Sequence, residues 1–203
     1  MRPITQLVRS FVRLEVDIWV SLARAVARRP DTGGGTPIRY AGAVSAVIWA
    51  FIVVSAVEIP AVHLLIPWPA ARIVALGLGL WGLMWMAGML AAHHMHPHIL
   101  TEKLLRVRYL RRVALDIPLA DIRAVRHELR AYDGAKSLQL NGPGDDTLAV
   151  IIGSSTNIRV ILTEPQTFHT PQGEFTVNTV AFWADDPRAA VAKIRTAVLD
   201  GAV

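Results

Sequence analysis

Along the chain, the spacing of hydrophobic and polar positions changes character four times. Between Pro3 and Arg29, Ile4, Leu7, Val8, Phe11, Leu14, Ile18 and Leu22 recur at helical spacing. Gln6, Arg9, Ser10, Arg13, Asp17, Arg24 and Arg28 occupy much of the other side. This pattern predicts an amphipathic helix over residues 1–30 that contains Trp19. Such a helix suits either the membrane interface or packing on a soluble domain. Pro30 and the run DTGGGTP then read as a break, a Gly-rich linker over residues 31–40.

The next pattern has no polar face. From Ala41 to Val57 seventeen residues pass without a charge, and from Ile73 to Ala92 another twenty. A membrane span needs roughly 20 apolar residues, so both runs qualify, the first more fully if its helix continues past Glu58. Pro67 and Pro69 mark a short turn between them. The expectation is an antiparallel transmembrane hairpin over 41–92, with spans at 41–64 and 70–92. A secretory signal fits poorly, because the first run starts late and a second follows at once. Small residues at helical spacing (Gly42, Ala46 and Ala50; Ala75, Gly79, Gly88 and Ala92) suggest close packing of Gly42 and Ala46 against Gly88 and Ala92. Trp81 and Trp85, one turn apart, face either lipid or a partner helix.

Beyond the second span the period shortens again. The segments LLRVRY, RVALDIPL, IRAVRHEL, SLQLNG, TLAVII, NIRVILTE and TVAFWA are short, rich in β-branched residues and separated by Gly, Asn and Asp turn signals. They predict about seven strands. A closing helix follows in DDPRAAVAKIRTAVLDG, with Asp185 or Asp186 as cap, Pro187 in its first turn and Gly201 at its end.

Composition supports this division. The chain of 203 residues is 53% apolar and only 18% charged, where about a quarter charged is usual for soluble domains. With no cysteine, disulfide and thiol chemistry are excluded. The net charge is +5 and the pI about 10.2. Its distribution points to membrane orientation rather than nucleic acid. Arg24, Arg28, Arg29 and Arg39 precede the first span, and Lys103, Arg106, Arg108, Arg111 and Arg112 follow the second. Only Arg72 lies in the turn, so both termini are expected in the cytoplasm of a bacterial cell, with the protein multi-pass in its plasma membrane. Tyr40 and Trp68 fit the interfacial aromatic belts.

Candidate chemistry is sparse. AAHHMHPHIL places His93, His94, His96 and His98 behind the second span. Metal binding needs three or four convergent ligands, and neighbours on a helix diverge. The plainer reading is a polar exit from the bilayer, so no metal and no cofactor are assigned. Glu58, with His63 and Arg72 near it, is the polar group closest to the apolar region. A carboxylate at mid-bilayer costs about 2.5–3.5 kcal/mol. However, seventeen residues already cross about 25 Å, which sets Glu58 near the outer headgroups, facing water or paired with Arg72. GSSTN lacks a nucleophile-elbow pattern, and GPGDD lacks the Lys and Ser/Thr of a phosphate loop. No catalytic residues are assigned. Arg106, Arg108 and Arg112 are candidates for contact with anionic lipid or a partner, the alternative being a solvated face.

The run HILTEKLLRVRYLRRVALDIPLADIRAV resembles the opening of bacterial pleckstrin-homology-like domains, which often follow paired membrane helices. Ile117, Pro118, Leu119 and Ile122 match its I-P-L-x-x-I step. With VEIPAVHLLIPW and NIRVILTEP, the chain as a whole is similar to actinobacterial two-helix membrane proteins, a resemblance that brings no activity and no catalytic residues. It implies an α+β membrane protein with a PH-like β-barrel over 98–203 and a closing helix. The hairpin-like insert QTFHTPQGEFTV departs from that pattern and is expected to protrude before the last strand. The implied function is a membrane-anchored, non-enzymatic binding or scaffold module. Its partners are the bilayer and a membrane protein or a second copy, and an exposed barrel edge is able to accept a partner strand. The alternative is an accessory subunit of a transport or enzyme complex using Glu58 or the histidines.

Overall fold

The computed structural model describes residues 4–28, 30–134, 136–142 and 144–201, with side chains from Val12 onward. It is α+β and divides into a helical unit (Met1–Pro30 with Val44–Met95) and a β unit (Asp31–Ala43 with His96–Val203). The side chains of Ile4, Leu7, Val8 and Phe11, and all of Arg29, lie outside the described residues.

In the helical unit, α1 spans Ile4–Val26, α2 Gly42–Leu65 and α3 Pro69–Met95. Helix α2 runs through Glu58 and Pro60 for another turn and more, beyond the uncharged run itself. Both α2 and α3 are long and apolar enough to cross a membrane. Neither behaves as a soluble core helix: α2 has no buried residue, and Val47, Phe51, Val54, Val57, Ile73, Leu78 and Trp81 face outward. Burying one such side chain is worth about 1.5–3 kcal/mol, so water is a costly surrounding for so many.

The small residues of α3 do not pack as the spacing suggested. Gly88 faces α1, where an added Cβ would stand 2.4 Å from Ile18 Cγ2. Gly79 faces α2, where it would stand 2.8 Å from Ile59 Cγ1. Gly42 belongs to the β unit, where its N–H donates to Asp185 Oδ1 at 2.9 Å. The amphipathic face of α1 is thus engaged by α3, and Ile18 is only 1% exposed. The apolar stripe of α1 could have met lipid or protein equally well. At Ile18 the stripe meets α3.

The β unit holds all seven predicted strands and two more. Strands β1 (Thr36–Ile38), β2 (His98–Leu100), β3 (Leu104–Tyr109) and β4 (Val113–Pro118) form an antiparallel sheet in sequential order. Residues 31–40 are therefore not a free linker. They supply an edge strand, and Tyr40 is fully buried. The second sheet has the order β5-β8-β9-β7-β6, from β5 (Ile122–Ala131), β6 (Leu138–Leu140), β7 (Thr147–Val150), β8 (Ser155–Thr170) and β9 (Gly173–Phe182). Its β7–β9 pair is parallel. The expected single barrel is thus replaced by two open sheets. QTFHTPQGEFTV is a hairpin, as expected, but not a separate insert: it is the far end of one long β8–β9 hairpin, paired from His169↔Glu174 back to Ile158↔Phe182.

Alternation builds the core between these sheets. Val113, Leu115 and Ile117 of β4 point inward, while Ala114 and Asp116 point out. They meet Val160, Val180 and Phe182, and helix α4 (Pro187–Asp200) adds Ala190, Val191 and Ile194. The two aspartates before α4 divide their roles. Asp186 Oδ1 accepts from Ala189 N–H at 3.0 Å as the N-cap, and Asp185 accepts from Gly42.

Gly88→Ala is expected to loosen α1. Overpacking costs about 1–3 kcal/mol, which outweighs a helix-propensity gain of up to about 1 kcal/mol, because the β-branched Ile18 has little rotamer freedom to yield. Thermal unfolding of the detergent-solubilised chain should show a lower transition for Gly88→Ala and recovery in Gly88→Ala/Ile18→Ala. An unchanged transition in the single variant would remove the notch from this account.

Candidate functional site

The four histidines do not form one site. His93 and His94, in the last turn of α3, each turn Nδ1 onto a carbonyl of their own helix, Met89 O and Leu90 O, both at 2.9 Å. These bonds tie both rings back onto the preceding turn of their own helix. His96 and His98 belong to the β unit. His96 is buried, with Nδ1 3.5 Å from Asp31 Oδ2. Among the described residues, no group of three or more His, Asp or Glu side chains is placed to hold a metal.

His98 is a structural centre. Its Nδ1 accepts the Arg108 N–H at 2.9 Å, and its Nε2 lies 2.9 Å from Trp183 O. The first bond fixes the tautomer: the proton sits on Nε2, which donates to the carbonyl. The ring lies between Tyr40, at a centroid distance of 4.7 Å, and Phe182, at 4.9 Å. Burial pushes its pKa down to about 4, against a smaller opposing pull from the Trp183 carbonyl. The Tyr40 hydroxyl accepts from Leu110 N–H at 3.1 Å, and burial raises its pKa.

Of the basic candidates, Arg106 and Arg108 do share a face of β3, but neither is free to meet headgroups. Arg106 grips Asp116 of β4 with two hydrogen bonds, Nη2 to Oδ2 at 2.7 Å. Arg108 donates to Asp31 O at 3.0 Å and stands 3.3 Å from its Oδ2, with its side chain largely buried. Asp31 thereby joins Arg108 and His96. Arg112 is off that face, in the turn after β3, where its N–H donates to Tyr109 O.

In the helical unit Arg72 does not pair with Glu58. Its Nε and Nη2 donate to Ile66 O at 3.3 and 2.9 Å, satisfying a carbonyl just past the end of α2. Glu58 is exposed and borders a groove of about 240 Å³ between α2 and α3, together with Ser55, Gly79 and Gly82. His63 Nδ1 is buried and has no hydrogen-bond partner among the described residues.

The two weak sequence motifs are structural. Asn157 of GSSTN makes two buried bonds to the Ala184 backbone, Nδ2 to O and N–H to Oδ1, both 2.8 Å. Asp145 of GPGDD accepts from Thr147, Arg130, Asn141 and Arg159, and these bonds, that from Thr147 above all, hold its carboxyl at about 2.

The feature best suited to bind something is the outer edge of β5. This strand ends its sheet, and beside it α4 leaves a groove of about 310 Å³. Arg123, Arg126 and Arg195 line it together with apolar side chains of β5 and α4, among them Leu199, which is 70% exposed. Arg195 Nε and Nη2 donate to Val125 O at 3.1 and 2.7 Å. These residues lie some seventy positions apart, and their sequence signal was only a strand pattern and a helix pattern. No protein-family model, curated protein or solved structure matches the chain.

The depressed pKa of His98 makes the β unit sensitive to acid. The unfolded chain binds a proton near pH 6.5 and the folded one only near pH 4. Stability should therefore fall as pH drops from about 6.5 to about 4, by roughly 3 kcal/mol at most. Chemical denaturation at pH 7 and pH 4.5 checks this. The drop should shrink in His98→Gln, whose amide keeps one donor and one acceptor, and an equal drop in that variant would discount the imidazole.

Proposed function

We propose that this chain is a membrane-anchored, non-enzymatic binding module of a bacterial cell membrane. In this reading α2 and α3 cross the bilayer as a hairpin and the β unit is held in the cytoplasm for a partner protein. The single observation that carries it is the outward-facing apolar surface of α2, a 24-residue helix without one buried residue. A helix satisfies its own backbone hydrogen bonds, so such a segment is at home where water is absent.

Orientation follows from charge. Arg24, Arg28 and Arg39 precede α2, and Lys103, Arg106, Arg108, Arg111 and Arg112 follow α3, while the far end of the hairpin carries only Arg72, in the first turn of α3, whose side chain is bonded to a carbonyl. The strand-rich sequence with its closing helix supports a PH-like kinship for the β unit. The basic face of β3 is occupied by internal ion pairs, which favours a protein partner over an anionic lipid surface.

The native absence of cysteine makes the topology easy to test. An impermeant maleimide added to intact cells should label Trp68→Cys, in the exposed turn, and spare Glu174→Cys until the membrane is opened. Labelling in the reverse order would invert the topology, and release of the chain by alkaline carbonate would end the membrane reading.

A further inference from the structure

The β5–α4 groove combines three features. First, β5 has no strand on its outer side. The Val125 carbonyl on that side is bonded by the Arg195 guanidinium, which takes the place of a neighbouring strand's N–H. Apart from that capped carbonyl, no strand lies against the outer side of β5 among the described residues. Second, the last turns of α4 present Val198 and Leu199 beside it, the latter 70% exposed, although burial of a leucine is worth about 1.5–3 kcal/mol. Third, the residues lining the groove include three arginines and no acid. Arg123 and Arg126 have no ion-pair partner among the described residues, unlike Arg106 and Arg130, which are paired.

An open edge, an apolar floor and a basic rim together specify an occupant. A strand added to a sheet edge is held by main-chain hydrogen bonds and selected by the pockets its alternate side chains enter. At about 310 Å³ the space lies at the small end of the ligand-pocket range, about 300–1,000 Å³, and takes a side chain or two. Uncompensated arginines beside it favour acidic residues, accelerating encounter and rejecting basic segments. A lipid surface would use the arginines but not the strand edge.

We infer that the outer edge of β5 docks an acidic, extended segment of a partner protein, with its apolar side chains seated between Ala124 and Leu199 and its carboxylates on Arg123, Arg126 and Arg195. The inference rests on the module reading above and gives that module's partner a chemistry.

The test is selection of a phage-displayed library of random dodecapeptides on the full chain in detergent micelles. Enriched peptides should be net acidic, with apolar residues in alternation. As free peptides they should bind at least tenfold more weakly to Leu199→Asp and to Arg126→Glu, both at exposed positions, with the thermal transition of each variant retained. Methylating alternate peptide amides should cost a similar factor, because the ladder is lost. No enrichment, affinities indifferent to both substitutions, or methylated peptides that bind equally well would each overturn it. Vesicles of phosphatidylglycerol competing as well as the peptides would overturn it in favour of a lipid surface. Incorporation into lipid nanodiscs, followed separately, bears only on the membrane anchor, so the two readings fail independently.

Discussion

A neutral imidazole with no access to water ties together three distant stretches of the β unit. His98 receives a backbone proton from β3, gives one to the carbonyl of Trp183 beyond β9, and stacks against Tyr40 ahead of α2. A buried donor or acceptor left without its partner costs about 1–3 kcal/mol, so the geometry of all three stretches is specified together. Asp31 repeats the device at the edge, where it meets both Arg108 and His96. Through these bonds residues 31–43 become part of the β unit although the 52 residues of Val44–Met95 separate them from the rest. The histidines that looked most like chemistry turn out to be masonry.

The helical unit is built differently. Its long helices place apolar side chains outward and use glycine where two helices approach, at Gly88 for Ile18 and at Gly79 for Ile59. Under the proposed membrane reading, where the hydrophobic effect would not pull helices together, close backbone approach takes its place. Polar groups near the ends are handled locally: His93 and His94 bond back to their own helix, and Arg72 covers Ile66. Of the side chains that suggested a metal centre or a proton path, His93, His94 and Arg72 are instead engaged with backbone carbonyls.

Where the pattern was long and regular, the sequence was legible. Two apolar runs became two helices, a 3.6-residue period became α1, and each of the seven β-branched segments became a strand. What stayed hidden were pairings. Thr36–Ile38 is too short and too close to glycines to look like a strand, and only β2 makes it one. The parallel β7–β9 pair and the open β5 edge follow from strand order, which local periodicity does not encode. Arg106 and Arg108 looked like a free basic face because Asp116 and Asp31 lie ten and seventy-seven positions away.

The sequence by itself determined which segments avoid water and which alternate, since hydrophobicity and its period belong to the residues one at a time. It therefore specified the apolar hairpin, the strand-rich body and the absence of thiol chemistry. The tertiary structure alone decided which charges are already paired and which remain available, because an ion pair or a buried hydrogen bond depends on distances between residues remote in the chain. Arg108 and Arg126 are the same residue type, both on strands. One is locked to Asp31 and the other lines an open groove, and only the fold tells them apart.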